Sequence, residues 1–129
     1  MAQAESPLYA YRWQNRIVII FAGSDATEQL AQQRRMLASD PGGLQDRDVL
    51  LVVLEGDLVV IGGVPRPSTD ADRLRTVFDV PEQGYALLLI GKDGGVKLRS
   101  KEPVAAEDLF ALIDGMPMRQ REMQRRPRM

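Results

Sequence analysis

Residues Arg16–Ala22 read RIVIIFA, and residues Asp48–Leu54 read DVLLVVL. Short, unbroken runs of branched and aromatic apolar residues are typical of strands that are buried on both faces of a sheet. The stretch between them, Ala26–Ser39, has the apolar spacing of an amphipathic helix. Two buried strands joined by a helix predict a right-handed β-α-β unit whose strands are parallel.

The predicted helix has clear boundaries. Gly23, Ser24 and Asp25 precede it, and Ser24 or Asp25 is expected to cap its first turn. Its apolar side is expected to contain Leu30, Met36 and Leu37, with the Gln, Arg and Glu residues opposite. The stretch Asp40–Gly43, which reads DPGG, is expected to end it.

The second half of the chain continues with a helix, a hairpin and a closing helix. Its predicted elements are a short extra strand Leu58–Ile61, a loop over 62–67, a helix Ala71–Phe78, strands Tyr85–Ile90 and Val96–Ser100 joined by an Asp-Gly turn, and a helix Ala105–Asp114. The resulting order is β-α-β-(β)-α-β-β-α. It predicts a thioredoxin-like α/β fold, with a central mixed sheet of four or five strands flanked by helices. A flavodoxin-like sheet would need a further β-α unit in place of the hairpin.

Several apolar residues outside the strands are expected to complete the core. The aromatic stretch Leu8–Trp13 is expected to pack against the first strand. The last helix is expected to bury a stripe formed by Leu109, Phe110, Leu112 and Ile113. Met116 and Met118 are expected to finish the core.

The composition indicates one soluble domain of ordinary type. The chain has 129 residues and a formal net charge of −1, so no overall positive field would attract nucleic acid. No apolar run approaches the length of a membrane span. We expect a single domain over residues 1–123 and a disordered basic tail over residues 124–129.

The chain contains no cysteine and no histidine. Disulfide exchange, thiol peroxidase chemistry and Cys-ligated zinc are therefore excluded, and we expect neither a metal nor a cofactor. Thioredoxin-like enzymes place their redox motif directly after the first strand, where this chain has Gly23–Glu28. Their substrate-binding cis-proline precedes the third strand, where this chain has Gly84–Ala86. The paired acids Asp46/Asp48 and Asp70/Asp72 are interpreted as turn and helix-start residues.

Positive side chains alternate along the second strand of the hairpin. Lys97, Arg99 and Lys101 would project from one face of an edge strand. One interpretation is a strip that binds an anion or a partner. The alternative is an edge protected from aggregation by its charge.

Three strings resemble those of a known family, and the Asp46–Asp48 triplet adds to them. The strings are Tyr11–Arg16 (YRWQNR), Leu89–Arg99 (LIGKDGGVKLR) and Ile113–Met123 (IDGMPMRQREM). Together they resemble the P-DUDES domain, a domain of unknown function found in bacterial proteins and in vertebrate extracellular proteins of the sushi-repeat and DRO/URB type. The resemblance covers about residues 8–123 and implies a thioredoxin- or peroxiredoxin-like fold.

The resemblance also directs attention to individual residues. Lys92, Asp93, Asp114 and Glu122 match the family strings and are expected to be structural. Lys97, Arg99 and Arg119 match them too, and they are the candidate ligand- or partner-binding residues. Arg119 and Glu122, three residues apart, could pair with each other or with Asp114.

The sequence therefore predicts a non-catalytic binding module for a protein or a small anionic ligand. The alternative is an enzyme that acts on a small anionic substrate with Lys, Arg and carboxylate residues. That alternative requires Lys97, Arg99 and Arg119 to converge on one pocket. Ala2-Gln3-Ala4 fits the residues that precede a signal cleavage site, which predicts a periplasmic or secreted protein. An ordinary terminus and a cytoplasmic location are the alternative.

Overall fold

The structure of the chain is a computed structural model that describes residues 7–125. It is a mixed α/β fold in which helices flank one open sheet of six strands. The strands are β1 (Arg16–Ala22), β2 (Val49–Glu55), β3 (Leu58–Ile61), β4 (Val64–Arg66), β5 (Tyr85–Ile90) and β6 (Val96–Ser100). The helices are α1 (Thr27–Ala38), α2 (Pro41–Asp46), α3 (Ser68–Phe78), α4 (Ala106–Asp114) and α5 (Pro117–Gln124), and a 3₁₀ turn spans Tyr9–Tyr11.

The order of strands across the sheet is β4-β3-β2-β1-β5-β6. β1 and β2 are parallel, as the β-α-β prediction required, and their register pairs Arg16 with Val49. All other neighbours are antiparallel. β6 therefore lies at one edge of the sheet, as predicted, and β4 lies at the other.

Two apolar cores cover the two faces of the sheet. In β1 every residue is buried, and successive side chains point to opposite faces. Ile17, Ile19 and Phe21 pack in the core that contains α3. Val18 and Ile20 pack in the core that contains α1 and α4. The predicted fully buried strand is thus confirmed.

The strand count was wrong, because the predicted loop over 62–67 contains β4. Gly62 and Gly63 both have positive φ, as a tight hairpin turn between β3 and β4 requires. Pro65 lies within β4, which an edge strand tolerates because one side of its backbone needs no partner.

Three helix boundaries differ from the predictions. The stretch Asp40–Gly43, predicted only to end α1, also begins α2. The Asp40 carboxylate accepts a hydrogen bond from Gly43 N–H and so caps α2. α3 begins at Ser68, directly after Pro67. Neither Ser24 nor Asp25 caps α1, whose N-cap is Ala26 without a side-chain hydrogen bond.

Some predicted core residues are exposed, and a residue predicted on the polar side of a helix is buried. Trp13 and Leu112 are 58% and 45% exposed, although Leu8 and three of the four predicted α4 residues are buried. Met116 packs against a core while Met118 is only partly buried. Gln33, expected on the polar side of α1, is fully buried. Its amide binds the Tyr85 hydroxyl and the backbone of Val104, which compensates for its burial.

The chain continues as a helix beyond the predicted last element. α5 includes Gln124, which the sequence placed in a disordered tail. The signal-like Ala2–Ala4 stretch and residues 126–129 of the tail lie outside the described residues.

Candidate functional site

The carboxyl end of β1, where thioredoxin-like enzymes hold their redox motif, is closed by a neighbouring loop. Gly23 N–H donates to Gly84 O at 2.9 Å, and the Asp25 carboxylate accepts from Gly84 N–H at 2.8 Å. The approach is so close that a Cβ on Gly23 would lie 2.6 Å from Glu82 O. Asp25 therefore joins two segments of backbone, and its bond to Gly84 gives it a structural role.

The opposite end of β1 is rich in charge, and Arg16 lies at its centre. Its guanidinium is 1% exposed and donates to both carboxylate oxygens of Glu122 at 3.1 Å. It also donates to the carbonyl oxygen of Arg47 at 3.0 Å. A bidentate pair of this kind is among the stronger charge-assisted interactions, so Arg16 ties the start of β1 to α5.

Lys92, which follows β5, binds to the same carboxylate. Its Nζ lies 2.8 Å from Glu122 Oε2 and 2.8 Å from Asp48 Oδ2. Asp48 precedes β2 and has a positive φ of 54°, so its backbone forms a turn while its side chain forms an ion pair. The ends of β2, β5 and α5 meet at this lysine.

Arg119 in α5 is buried, and its guanidinium pairs with three carboxylates. It is 2% exposed and lies 2.7 Å from Asp46, 3.0 Å from Asp114 and 3.8 Å from Glu122. Both of the pairings predicted for Arg119 are thus present. Burial alone would lower the pKa of Arg119, but the hydrogen bonds to Asp46 and Asp114 outweigh it and raise that pKa.

Arg47 completes the arrangement from the turn before β2. Its guanidinium donates to both carboxylate oxygens of Asp114, at 3.0 and 2.9 Å, and lies 4.1 Å from the centre of the Phe110 ring. It also donates to Gly43 O at 2.9 Å. Gly43 must lack a side chain here, since its Cβ would lie 2.6 Å from Phe110.

These residues form what we term the charge cluster, with four cations and four carboxylates. Its members are Arg16, Arg47, Lys92, Arg119, Asp46, Asp48, Asp114 and Glu122. The interpretation of Asp46 and Asp48 as turn residues was incomplete, because both also form ion pairs.

Two carboxylates of the cluster have lowered pKa values. Hydrogen bonds from Arg47 lower the pKa of Asp114, against an opposing effect of burial and with a further contribution from Arg119. For Glu122 burial raises the pKa, but the hydrogen bonds and charges of Arg16 and Lys92 together lower it below its usual range. Both groups are therefore held in the charged form.

A groove of about 700 Å³ lies beside the charge cluster. We term it the Trp13 groove. Its sides include Trp13, Leu112, Met116, Met118, Lys92 and Lys97. It combines apolar and aromatic surface with positive charge, and it lies at the same end of the sheet as the cluster.

Trp13 is held in an unusual conformation. Its φ is 71°, in the left-handed region that large side chains rarely adopt and that costs on the order of 1–3 kcal/mol. Trp13 N–H donates to Lys92 O at 2.6 Å, and the Arg12 guanidinium lies 5.1 Å from the Trp13 ring. The surrounding contacts therefore fix an exposed indole in place instead of burying it.

The three predicted binding residues lie in different places. Lys97 is part of the Trp13 groove and lies 3.0 Å from Asp93. Arg99 donates to the carbonyl oxygens of Phe78 and Asp79 at the end of α3, and it lines a separate pocket. Arg119 is buried in the charge cluster. The three side chains thus bind to different partners: Lys97 to Asp93, Arg99 to the end of α3, and Arg119 to the carboxylates of the cluster.

The residues matched to family strings fall mainly into the charge cluster. Lys92, Asp114 and Glu122 belong to it, while Asp93 shapes the hairpin turn through Gly95 N–H and Lys97. The hydrogen bond from Gly95, followed by that from Lys97, lowers the pKa of Asp93.

Sequence reasoning missed the two arginines that link these strings. Arg16 is a charged residue at the start of a fully buried strand, and Arg47 lies between two aspartates. The position of Arg16 is unusual for a cation, because a buried charge requires a partner. That rule could have identified Arg16, though not its partner, whereas Arg47 is only partly buried and its position between two aspartates gives no such signal.

Comparison with known proteins identifies the family. Residues 7–122 match a family described as a domain of unknown function, DUF4174. The chain belongs to this family. It is 31% identical over 136 residues to the Coiled-coil domain-containing protein 80 of Danio rerio, a match that covers 92% of the chain and 16% of that protein. It is 30% identical over 112 residues to the Sushi repeat-containing protein SRPX2 of Xenopus laevis, covering 84% of the chain and 24% of that protein.

These relatives agree with the resemblance to a domain shared with sushi-repeat proteins. The chain spans less than a quarter of the length of either relative. No solved structure matches the chain.

Two further features of the described residues bear on function. Among residues 7–125 there is no group of three or more His, Cys, Asp or Glu residues that could hold a metal ion. In the same part of the chain, none of the helices has the length and apolar character needed to cross a membrane.

Proposed function

We propose that this domain is a non-catalytic binding module that holds a partner in the Trp13 groove. The observation that carries the proposal is Trp13 itself. It is a large apolar side chain that is exposed to solvent, and its backbone is held in a strained conformation. Strained backbone is concentrated at functional sites, where the surrounding structure maintains it. Tryptophan is also among the residues that contribute most to binding energy at protein interfaces.

The proposal extends to the fold and its family. The central strand order β2-β1-β5-β6, with one parallel pair, supports a thioredoxin-like arrangement. The quoted strings support assignment to the P-DUDES domain. A bacterial origin and export to the periplasm or the exterior belong to the same proposal and are supported by that resemblance.

The alternative, an enzyme for a small anionic substrate, has less support. It requires Lys97, Arg99 and Arg119 beside a common substrate, and these side chains have separate partners. We expect no turnover of insulin disulfides or peroxide. Clear thiol-independent activity in either assay would contradict a non-catalytic role.

Photo-crosslinking in the source cells tests the proposal. The photoreactive residue benzoylphenylalanine would replace Leu112 at the groove, and in a control it would replace Arg73 on the exposed side of α3. We expect discrete adducts with a partner at position 112 and none at position 73. The proposal is wrong if both positions give the same adducts or if position 112 gives none.

A further inference from the structure

The composition of the Trp13 groove indicates the chemistry of its partner. Arg16, Lys92 and Lys97 line it, against Asp93 as the acidic residue among its lining residues. Arg16 and Lys92 are already neutralised by Glu122 and Asp48. Their charge is therefore committed to the charge cluster, and among the lining cations Lys97 is the one that a ligand can reach.

Lys97 can exchange its partner at little cost. It is 37% exposed, and its ion pair with Asp93 lies at the surface, where such pairs contribute little to stability. Asp93 would not lose its role if Lys97 turned away, because it also accepts a hydrogen bond from Gly95 N–H at 2.9 Å. A carboxylate of a ligand could thus replace Asp93 on Lys97.

The apolar part of the groove fits side chains rather than a small anion. Trp13 and Leu112 are exposed, and Met116 and Met118, which line the same groove, are partly buried. Methionine side chains adapt to differently shaped apolar partners. A small anion would leave this surface uncovered, whereas a peptide with large apolar side chains would bury it.

A second cation stands at the rim. Arg12 lies over the Trp13 ring and donates to Asp93 O at 3.0 Å, so its position is fixed beside the indole. Lys97 and Arg12 therefore flank the apolar surface at the Asp93 turn. Acidic groups spaced around an apolar side chain would complement this pattern.

We infer that the Trp13 groove binds an acidic peptide segment of a partner protein, with a large apolar side chain against Trp13 and a carboxylate on Lys97. The inference rests on the proposed function and specifies its partner. An anionic lipid surface is a poorer fit, because the chain has a net charge of −1 and the groove offers few exposed cations.

Fluorescence anisotropy tests the inference with defined peptides. The probe is a short fluorescein-labelled peptide of alternating Glu and Leu, and the matched peptides replace Glu by Lys or Leu by Ser. We expect binding of the Glu-Leu peptide alone. Trp13 is the chain's one tryptophan, so its emission should also shift to shorter wavelength as the peptide covers it.

Substitutions locate the binding. Lys97→Glu is expected to lower the affinity for the Glu-Leu peptide about tenfold or more. Leu112→Ser should lower that affinity as well. Arg73→Glu makes the same charge change on α3 and should leave binding unchanged. Both groove residues are exposed, and an unaltered urea midpoint would show that each variant folds.

The inference is overturned if all three peptides bind equally, if none binds, or if Lys97→Glu and Arg73→Glu act alike. It is also overturned if the Trp13 emission shifts when vesicles of phosphatidylglycerol and phosphatidylcholine are added but does not shift with the Glu-Leu peptide. Crosslinks at position 112 without peptide binding would leave the binding module standing and reject its acidic partner.

Discussion

The two ends of β1 are built in opposite ways. At the carboxyl end, Gly23 N–H and the Asp25 carboxylate form short hydrogen bonds with the backbone of Gly84, and the loop at Gly84 covers this end of the strand. At the amino end, Arg16 begins a cluster of eight charged side chains that joins β1, β2, β5 and α5. In this chain the chemically distinctive end of the sheet is therefore the one at which β1 begins.

The sheet and α5 are also stabilised in different ways, the sheet by apolar burial and α5 by ion pairs. The middle of β1 is held by apolar burial on both faces, whereas in α5 the buried residue is Arg119. Apolar burial is non-directional and insensitive to pH, while ion pairs depend on geometry and on the protonation of their carboxylates. The account therefore predicts that α5 and the sheet respond differently to the same perturbation.

Acidification is expected to have the largest effect, because it protonates Asp114 and Glu122, each of which pairs with more than one cation of the cluster. The pKa values of Asp114 and Glu122 are lowered in the folded state, so their stabilising contribution is complete above the unfolded values of about 3.9 and 4.3. It is lost as the pH falls through those values towards the lower folded ones. Urea unfolding should show a free energy that is flat from pH 6 to 8 and decreases below about pH 5.

A matched variant sharpens this prediction. Asp114→Asn combined with Glu122→Gln should be less stable at neutral pH and should lose less stability on acidification than the natural chain. Parallel pH profiles for the two proteins would show that other groups cause the acid sensitivity.

The next largest effect is expected from Arg119→Met. The substitution keeps most of the buried volume but removes charge-assisted hydrogen bonds to Asp46 and Asp114, each of which contributes on the order of 1.5–3 kcal/mol, so we expect a loss of about 3 kcal/mol. The free energy of unfolding in urea measures this loss. Lys97→Met removes an exposed ion pair and should change that free energy by less than about 1 kcal/mol. Equal losses for the two variants would mean that the cluster adds nothing beyond surface pairing.

Glu122→Gln is expected to cost about 2 kcal/mol, since Arg16 and Lys92 would both lose a charged acceptor. A double-mutant cycle with Arg16→Met should give a coupling of about 1–3 kcal/mol, because the two residues share one bidentate contact. Additive effects would contradict the proposed tie between β1 and α5.

Asp25→Ala tests the other end of β1 and should have a smaller effect than the substitutions within the charge cluster. It removes one hydrogen bond to Gly84 N–H, which contributes about 1 kcal/mol. A loss larger than that of Arg119→Met would reverse the comparison between the two ends.

The apolar patterns predicted most of the sheet, because a strand buried on both faces requires a continuous apolar run. β1, β2, β5 and β6 lie within a residue of their predicted positions. β4 was missed because a three-residue edge strand containing Pro65 lacks such a pattern. Its register depends on the Gly62-Gly63 turn, which the sequence indicated only as a loop.

The candidate site was less predictable, since ion pairs between distant segments leave no local periodic signal. Arg16 and Glu122 are 106 positions apart, and Arg119 and Asp46 are 73 apart. The quoted strings identified which segments matter, but only the fold shows that they meet. Trp13 was expected to pack against the first strand with the rest of its aromatic stretch; it is exposed instead and has a left-handed backbone conformation, for which the sequence carries no signal.

Hydrogen exchange of individual amides at pH 7 and pH 3, corrected for intrinsic rates, tests most directly whether charge holds α5 to the sheet. At pH 7 the amides of α5 and of β1 should both be protected. At pH 3 the α5 amides should exchange much faster while β1 remains protected, because its contacts are apolar. If α5 keeps its protection at pH 3, or if α5 and β1 lose protection together, the charge cluster does not have the role assigned to it.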